Sequence, residues 1–350
     1  ITLPMLTPTI FFNLINQLIN GFMAFTQSYI ITQGKPRDTT LFYTVYMYQN
    51  AFTYNKLGYG CALAWFMILV VGILTLILFK NQKVDGERMK KGYKEKRFAI
   101  GVIYHIFTFC FACVMIYPLV WMVLSSFKDT NEIIRTASEL IPRHFSLENY
   151  KVGWQGFAGY NFGSFFKNSF VIAGLSTIGA VASSAVIGYG FARINFKFKG
   201  FWFACMLLSM MLPFQVVMIP QYIIFNKLGW VGSYLPIIVP QWFGQGFFIF
   251  LNIQFIKGIP MDLDEAARMD GCSTYTIFFR IILPLIKPSL VTSAIFSFMW
   301  RWDDFLAALL YLSDPLKYPV SYALKMFSDP TAGSDWGAMF AMATLSLIPI

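Results

Sequence analysis

The side chains of this 350-residue chain that could do chemistry lie mostly within long apolar runs. Residues 300–304 read Trp-Arg-Trp-Asp-Asp inside one of them. Charges inside a membrane helix are costly and normally face a bundle interior or a water-filled path. Arg301 and Asp304 stand three apart and can pair on one helix face, so neither reads as a proton relay. Ser293, Ser297, Trp300 and Asp304 follow an approximate helical stripe, and Asn13, Asn16 or Gln17, Asn20 and Gln27 follow another. Amide side chains hydrogen-bond hydroxyls, and tryptophan packs on the apolar faces of sugar rings. Two such helices would suit a carbohydrate path, with Asn16, Asn20, Gln27, Trp300, Trp302, Asp303 and Asp304 as the candidate lining residues. The plainer alternative is that these groups join neighbouring helices by hydrogen bonds.

Covalent chemistry finds no footing. His105 and His144 are far apart, and no Ser-His-Asp or Cys-His grouping occurs. Cys110 and Cys113 form a C-x-x-C inside an apolar helix, where small apolar packing is the simple reading. A phosphate-binding G-x-x-x-x-G-K-[ST] loop is missing. The expectation is a chain that is not an enzyme and needs no cofactor or metal.

One polar segment between the apolar runs has a fixed pattern. Glu265-Ala266-Ala267 is followed by Gly271 and, nine residues later, by Ile281, Leu283 and Pro284. Pro260 stops the preceding helix, and Asp262 with Glu265 has the spacing of a capping box. A short helix over about 263–270 should place Leu263, Ala266, Ala267 and Asp270 on one face, shallow enough for another protein to approach. Gly271 falls where a left-handed C′ residue belongs. Ser273 or Thr274 can cap a second helix ending before Pro284.

The elements that position these residues are membrane spans. The chain is 57% hydrophobic and 13% charged, against about 25% charged for a soluble domain. Eight apolar segments approach the roughly 20 residues a span needs: 7–31, 58–79, 99–124, 168–192, 200–225, 234–256, 286–312 and 336–350. With residue 1 inside, segments 80–97, 193–199 and 257–287 are cytoplasmic and hold 15 Lys/Arg in 56 residues, against 11 in 96 outside. That satisfies the positive-inside rule and puts 265–284 in the cytoplasm. The net charge of +10 follows topology and forms no basic stripe with interleaved aromatics, so no nucleic-acid partner is expected.

The chain also repeats itself. Ile1-Thr2-Leu3-Pro4 and Thr7-Pro8 parallel Ile281-Ile282-Leu283-Pro284 and Lys287-Pro288, and Gly58, Ala62 and Ala64 parallel Gly337, Ala341 and Ala343. Residues 1–80 are therefore expected to be a C-terminal fragment of one membrane protein with two transmembrane helices. Residues 81–98 read as a basic cytoplasmic linker, and 99–350 as a second unit of six helices, the last truncated. Both ends read as cut.

The Glu265–Pro284 pattern resembles the EAA loop of type-I ABC-importer permeases. Ser125-Ser126-Phe127-Lys128, Phe145-Ser146-Leu147-Glu148-Asn149-Tyr150 and Trp302-Asp303-Asp304-Phe305 resemble the carbohydrate branch of that family. On this resemblance residues 1–80 are similar to the end of a maltose-F-like subunit, and the remainder to a maltose-G-like subunit. Asp303 stands where that family commonly has Asn. The resemblance implies an all-α, polytopic transmembrane helix bundle with a cytoplasmic EAA coupling helix in a bacterial cytoplasmic membrane. It implies a heterodimer with a second permease subunit, a pair of cytoplasmic ATPase subunits, an extracytoplasmic solute-binding protein and a lipid surround. It assigns ATPase coupling to Glu265, Ala266, Ala267, Gly271, Ile281, Leu283 and Pro284, and carbohydrate import to the complex. The rival readings are an ion-gradient-driven secondary transporter, with Asp303 as its carboxylate, and an ABC permease for another solute.

Overall fold

The computed structural model describes residues 17, 21, 24–32, 35, 38–54, 56–80, 97–135, 139–157, 159–212, 214–327 and 335–350. The chain is all-α, as expected: among the described residues the one extended pairing is an isolated bridge between Phe157 and Tyr160. It forms two compact units, Ile1–Gly156 with Phe327–Pro349, and Phe157–Met326.

In the first unit the Leu57–Lys80 helix receives a hydrogen bond from Tyr43 Oη to the Leu63 carbonyl at 2.7 Å. The Arg97–Ser125 helix carries Pro118 inside it. Its residues 105–120 are exposed throughout, as befits an apolar surface meant for lipid or another apolar partner. Beyond it, two segments singled out in the sequence, 125–128 and 145–150, come together. Asn149 Nδ2 donates to the carbonyls of Ser126 (2.9 Å) and Lys128 (2.6 Å), and the Ser126 and Tyr150 hydroxyls are 2.7 Å apart. Lys128 is fully buried and its ammonium donates to the Glu139 carbonyl. Of the 7–31 span, only the Thr26–Ile31 helix and a few isolated residues are described.

The second unit is organised by one long helix, Phe162–Arg193, capped by Asn161, whose side chain accepts the Gly163 N–H at 2.7 Å. Ser169, Ala173, Ser176, Ala180, Ser184 and Gly188 recur along it every three or four residues and are buried. This small-residue seam lets neighbouring backbones come close, the packing that membrane helices favour. Lys287–Trp302 and Gly246–Lys257 pack against it, as does the 3-10 turn Val239–Phe243. At Gly179 an added Cβ would overlap the Trp242 indole. Asn168 Nδ2 ties the far end by donating to the Leu316 (2.7 Å) and Tyr318 (3.0 Å) carbonyls.

Among the described residues, three helices are long and apolar enough to cross a membrane: His105–Ser125, Phe162–Arg193 and Leu235–Lys257. Two bent pairs qualify as broken spans, Lys199–Met210 with Phe214–Lys227, and Thr274–Leu285 with Lys287–Trp302. Three expected spans are thus less regular than their hydropathy implies. The 200–225 segment is two helices on either side of Pro213. The 234–256 segment breaks at Gly244, with φ +94°. The 286–312 segment breaks after Trp302, because Asp304 turns out of helical geometry and caps Phe305–Tyr311, accepting the Ala307 N–H at 3.0 Å.

Overpacking the tight Gly179–Trp242 crossing should be costly. Gly179→Val is expected to lower stability by about 1–3 kcal/mol, read as a lower midpoint in thermal unfolding followed by tryptophan fluorescence in detergent.

Candidate functional site

The 258–287 segment folds as the sequence implies in outline: helix, glycine turn, helix. The first helix is Asp262–Met269. Its cap differs from the expectation. Met261 is the N-cap, no side chain caps the end, and Asp262 is already helical, so the capping box does not form. The backbone compensates, with the Asp264 and Glu265 N–H groups bonding the Met261 carbonyl at 2.9 and 3.1 Å. Three carboxylates, Asp262, Asp264 and Glu265, fill the first turn, where the helix dipole favours negative charge.

The turn follows the Schellman pattern. The Cys272 N–H bonds the Ala267 carbonyl (2.9 Å) and the Gly271 N–H bonds the Arg268 carbonyl (3.0 Å). Gly271 has φ +77°, the left-handed conformation expected of it, and an added Cβ would meet no atom within 4 Å. Ala267 and Cys272, the pair that this motif brings into contact, enter the same apolar cluster. The four-residue spacing from Ala267 to Gly271 is thus the spacing of the turn itself.

Ser273 caps the second helix, its hydroxyl accepting the Thr276 N–H at 3.2 Å. That helix does not end before Pro284. It runs through to Leu285 by way of a π turn over Phe278–Ile282, in which the Leu283 N–H reaches back to the Phe278 carbonyl. The widened turn lets the chain carry a proline, which offers no donor, into the last turn. A 73° bend then leads into Lys287–Trp302.

The expected shallow face is split. Ala267 is buried with Ile256, Ile277, Phe278, Ile282 and Ile286, while Leu263, Ala266 and Asp270 are exposed. Ile281 and Leu283 are partly buried against the same cluster, and Glu265 and Pro284 are exposed. The residues thus divide into an inward set that holds the loop and an outward set free to meet another surface. Met269, Tyr275 and Phe279, 87%, 79% and 59% exposed, enlarge the outward set. Sequence reasoning passed over them because apolar residues attract no notice in an apolar chain.

It also missed an ion pair. Arg193, the last residue of the long helix, places Nε 3.1 Å from Asp264 Oδ2, with both side chains almost completely buried. Its other nitrogens donate to the Ile259 carbonyl (2.7 Å) and the Met261 sulfur (2.9 Å). No local spacing signals a pair that is 71 positions apart in the chain.

The candidate path residues are placed as follows. Asn16 and Asn20 lie outside the described residues, and Gln27 is exposed on the Thr26–Ile31 helix. Trp300 is 42% exposed and stacks on Phe248, centroids 5.4 Å apart. Trp302 is buried against Phe170 and Phe298. Arg301 and Asp304 do pair, at 2.8 Å, and Asp303 is exposed. Ser293 and Ser297 are fully buried, with hydroxyls that find no hydrogen-bond partner among the described residues. Ser289 of the same helix bonds Asn252 at 2.8 Å, the helix-joining role that polar residues in spans commonly have.

A bundle of apolar helices with a structured polar loop between them is the architecture of a polytopic membrane protein. The model of the family described as binding-protein-dependent transport system inner membrane component matches residues 184–350. A probable ABC transporter permease protein, YurM, of Bacillus subtilis is 35% identical over 247 residues, 70% of this chain and 80% of that protein. The arabinooligosaccharides transport system permease protein AraQ of Halalkalibacterium halodurans is 30% identical over 241 residues, 68% of this chain and 85% of that protein. A solved bacterial ABC transporter involved in import of the acidic polysaccharide alginate shares the fold, with a TM-score of 0.65 at 20% identity, covering 74% of this chain and 95% of that one. The chain belongs to the binding-protein-dependent ABC transporter permeases.

The turn geometry makes a clean test. Gly271→Ala is expected to cost about 1–2 kcal/mol from the left-handed backbone alone, since no atom crowds the new Cβ. A thermal midpoint equal to the parent's would show that the turn is not left-handed.

Proposed function

We propose that this chain is a membrane-spanning permease of an ATP-driven importer of carbohydrate, coupled through the 262–285 loop to a separate ATPase. One observation carries the reading. The loop presents Glu265 and Ala266 outward on a helix whose opposite side is held by Ala267, Asp264 and the glycine turn. A short helix braced from behind can receive a push without deforming, which is what a mechanical link between an ATPase and a bundle requires. The positive-inside count supports a cytoplasmic loop in a bacterial cytoplasmic membrane. Carbohydrate is supported by relatives named for oligosaccharides, among them the AraQ protein and the galactooligosaccharides transport system permease protein GanQ, 30% identical over 243 residues. The partners of this reading are a pair of ATPase subunits, an external solute-binding protein and a second permease subunit. The repeated Ile-x-Leu-Pro segment supports treating residues 1–80 and 99–350 as two permease segments joined by a basic linker.

The first test is association. Ala266→Arg adds a long charge to the exposed side of the loop helix and is expected to leave the protein in the membrane while reducing co-purified ATPase at least tenfold. Gly271→Val, which strains the turn, is expected to keep membrane insertion and abolish substrate-stimulated ATP hydrolysis in the reconstituted complex. Full stimulation in both variants would remove the coupling assignment. Uptake of labelled oligosaccharide into vesicles should require ATP and resist ionophores; the reverse would favour an ion-driven transporter using Asp303.

A further inference from the structure

We propose that Arg193 and Asp264 form a rigid tie that makes the loop helix and the long Phe162–Arg193 helix move as one body. This rests on the coupling role proposed above and assigns the next link after the docking surface.

Three features lead to it. First, the pair is buried at both ends, with side chains 3% and 1% exposed. A buried ion pair is a poor means to stability, since apolar residues of similar volume often do as well or better; the role assigned to it here is to fix the register of the two helices. Second, Arg193 gathers the whole approach to the loop helix. Its guanidinium holds the Ile259 carbonyl and the Met261 sulfur as well as facing Asp264. Ile259 and Met261 lie in the short connection between Gly246–Lys257 and the loop helix, so that connection cannot pivot without breaking these contacts. Third, each charge sits where a helix end welcomes it. Arg193 closes the C-terminal turn of the long helix, and Asp264 lies in the N-terminal turn of the loop helix.

The position of the long helix gives the tie its consequence. Lys287–Trp302, Gly246–Lys257, Val239–Phe243 and Val320–Met326 all pack against it. A displacement delivered to the loop helix through Arg193 therefore reaches a helix in contact with most of its unit. The apolar cluster around Ala267 would allow sliding, because apolar contacts are non-directional. The guanidinium, held by its hydrogen bonds to the Ile259 carbonyl and the Met261 sulfur and set 3.1 Å from the Asp264 carboxylate, would not. Arg193 and Asp264 are positioning residues here; neither touches substrate or nucleotide.

The test is a distance measurement in the complete complex, with permease subunits and ATPase, in a background whose five native cysteines are replaced by alanine. Spin labels go on Asp262→Cys, exposed on the loop helix, and Ile178→Cys, exposed on the long helix. Residue 178 is about 22 Å along the helix from Arg193. Pulsed dipolar spectroscopy compares the nucleotide-free complex with one trapped by MgATP and vanadate. The parent is expected to give one distance, unchanged on trapping. Asp264→Asn and Arg193→Gln are each expected to shift or split it on trapping. Arg193→Met/Asp264→Leu removes both charges while keeping the buried volume, so it guards against loss of the fold. It is expected to insert and bind the ATPase yet show the same split. A single unchanged distance in every variant would overturn the tie while leaving the docking assignment intact. A parent that traps no nucleotide with any ATPase would overturn the coupling role itself, and the tie with it.

Discussion

A polypeptide in hydrocarbon has no water to satisfy its backbone, so every departure from a regular helix needs a partner from a neighbour. This constraint explains why one helix dominates the second unit. Where Leu235–Lys257 breaks, a serine of the long helix stands at the gap: Ser184 Oγ accepts the Gln245 N–H at 3.3 Å. Where the chain turns toward Val320–Met326, Ser169 accepts the Val320 N–H at 2.8 Å. Where it enters the loop, Arg193 takes the Ile259 carbonyl. The small residues that let other helices approach are in part the same residues that satisfy their broken backbones.

The breaks also explain which parts of the structure were legible beforehand. Hydropathy located the apolar runs, because burial in lipid is a sum over many residues and tolerates local exceptions. It did not show that 286–312 stops after Trp302, since that stop depends on Asp304, one polar residue adopting a cap. The glycine turn was readable because a Schellman motif is local and its residues lie within six positions. The capping box was equally local and failed, because Met261 took the N-cap place and drew Asp262 into the helix. With the cap absent, the first-turn acid with a demanding partner is Asp264, held by a residue 71 positions away. Local motifs compete with tertiary contacts, and a buried guanidinium outweighs an exposed cap.

The two Arg–Asp pairs of this unit illustrate how position governs what such a pair does. Arg301 and Asp304 lie three apart on one stretch of chain, at 2.8 Å and about one-fifth exposed. That pair fixes a local turn, and Asp304 simultaneously caps the next helix. Arg193 and Asp264 belong to different elements and are hidden from solvent, so their geometry is set by how two helices meet. The first pair can form as soon as its segment folds, whereas the second forms only once the tertiary arrangement exists.

The same separation bears on what a sequence pattern can say about a partner. Ala267, Gly271, Ile281 and Leu283 are each explained by the needs of this chain alone: a C-terminal turn and an apolar cluster. Their presence would follow from the fold of the loop even if nothing ever bound to it. The outward members, Glu265, Ala266 and Pro284, together with the exposed Met269, Tyr275 and Phe279, are unexplained from within. A small residue beside large exposed apolar ones makes a stepped surface, not a flat one. Such a surface suits a partner that receives the helix in a groove, because apolar area left in water is recovered only when it is enclosed. The case for a partner therefore rests on this residual set, and the remaining pattern ensures that it is presented on a rigid support.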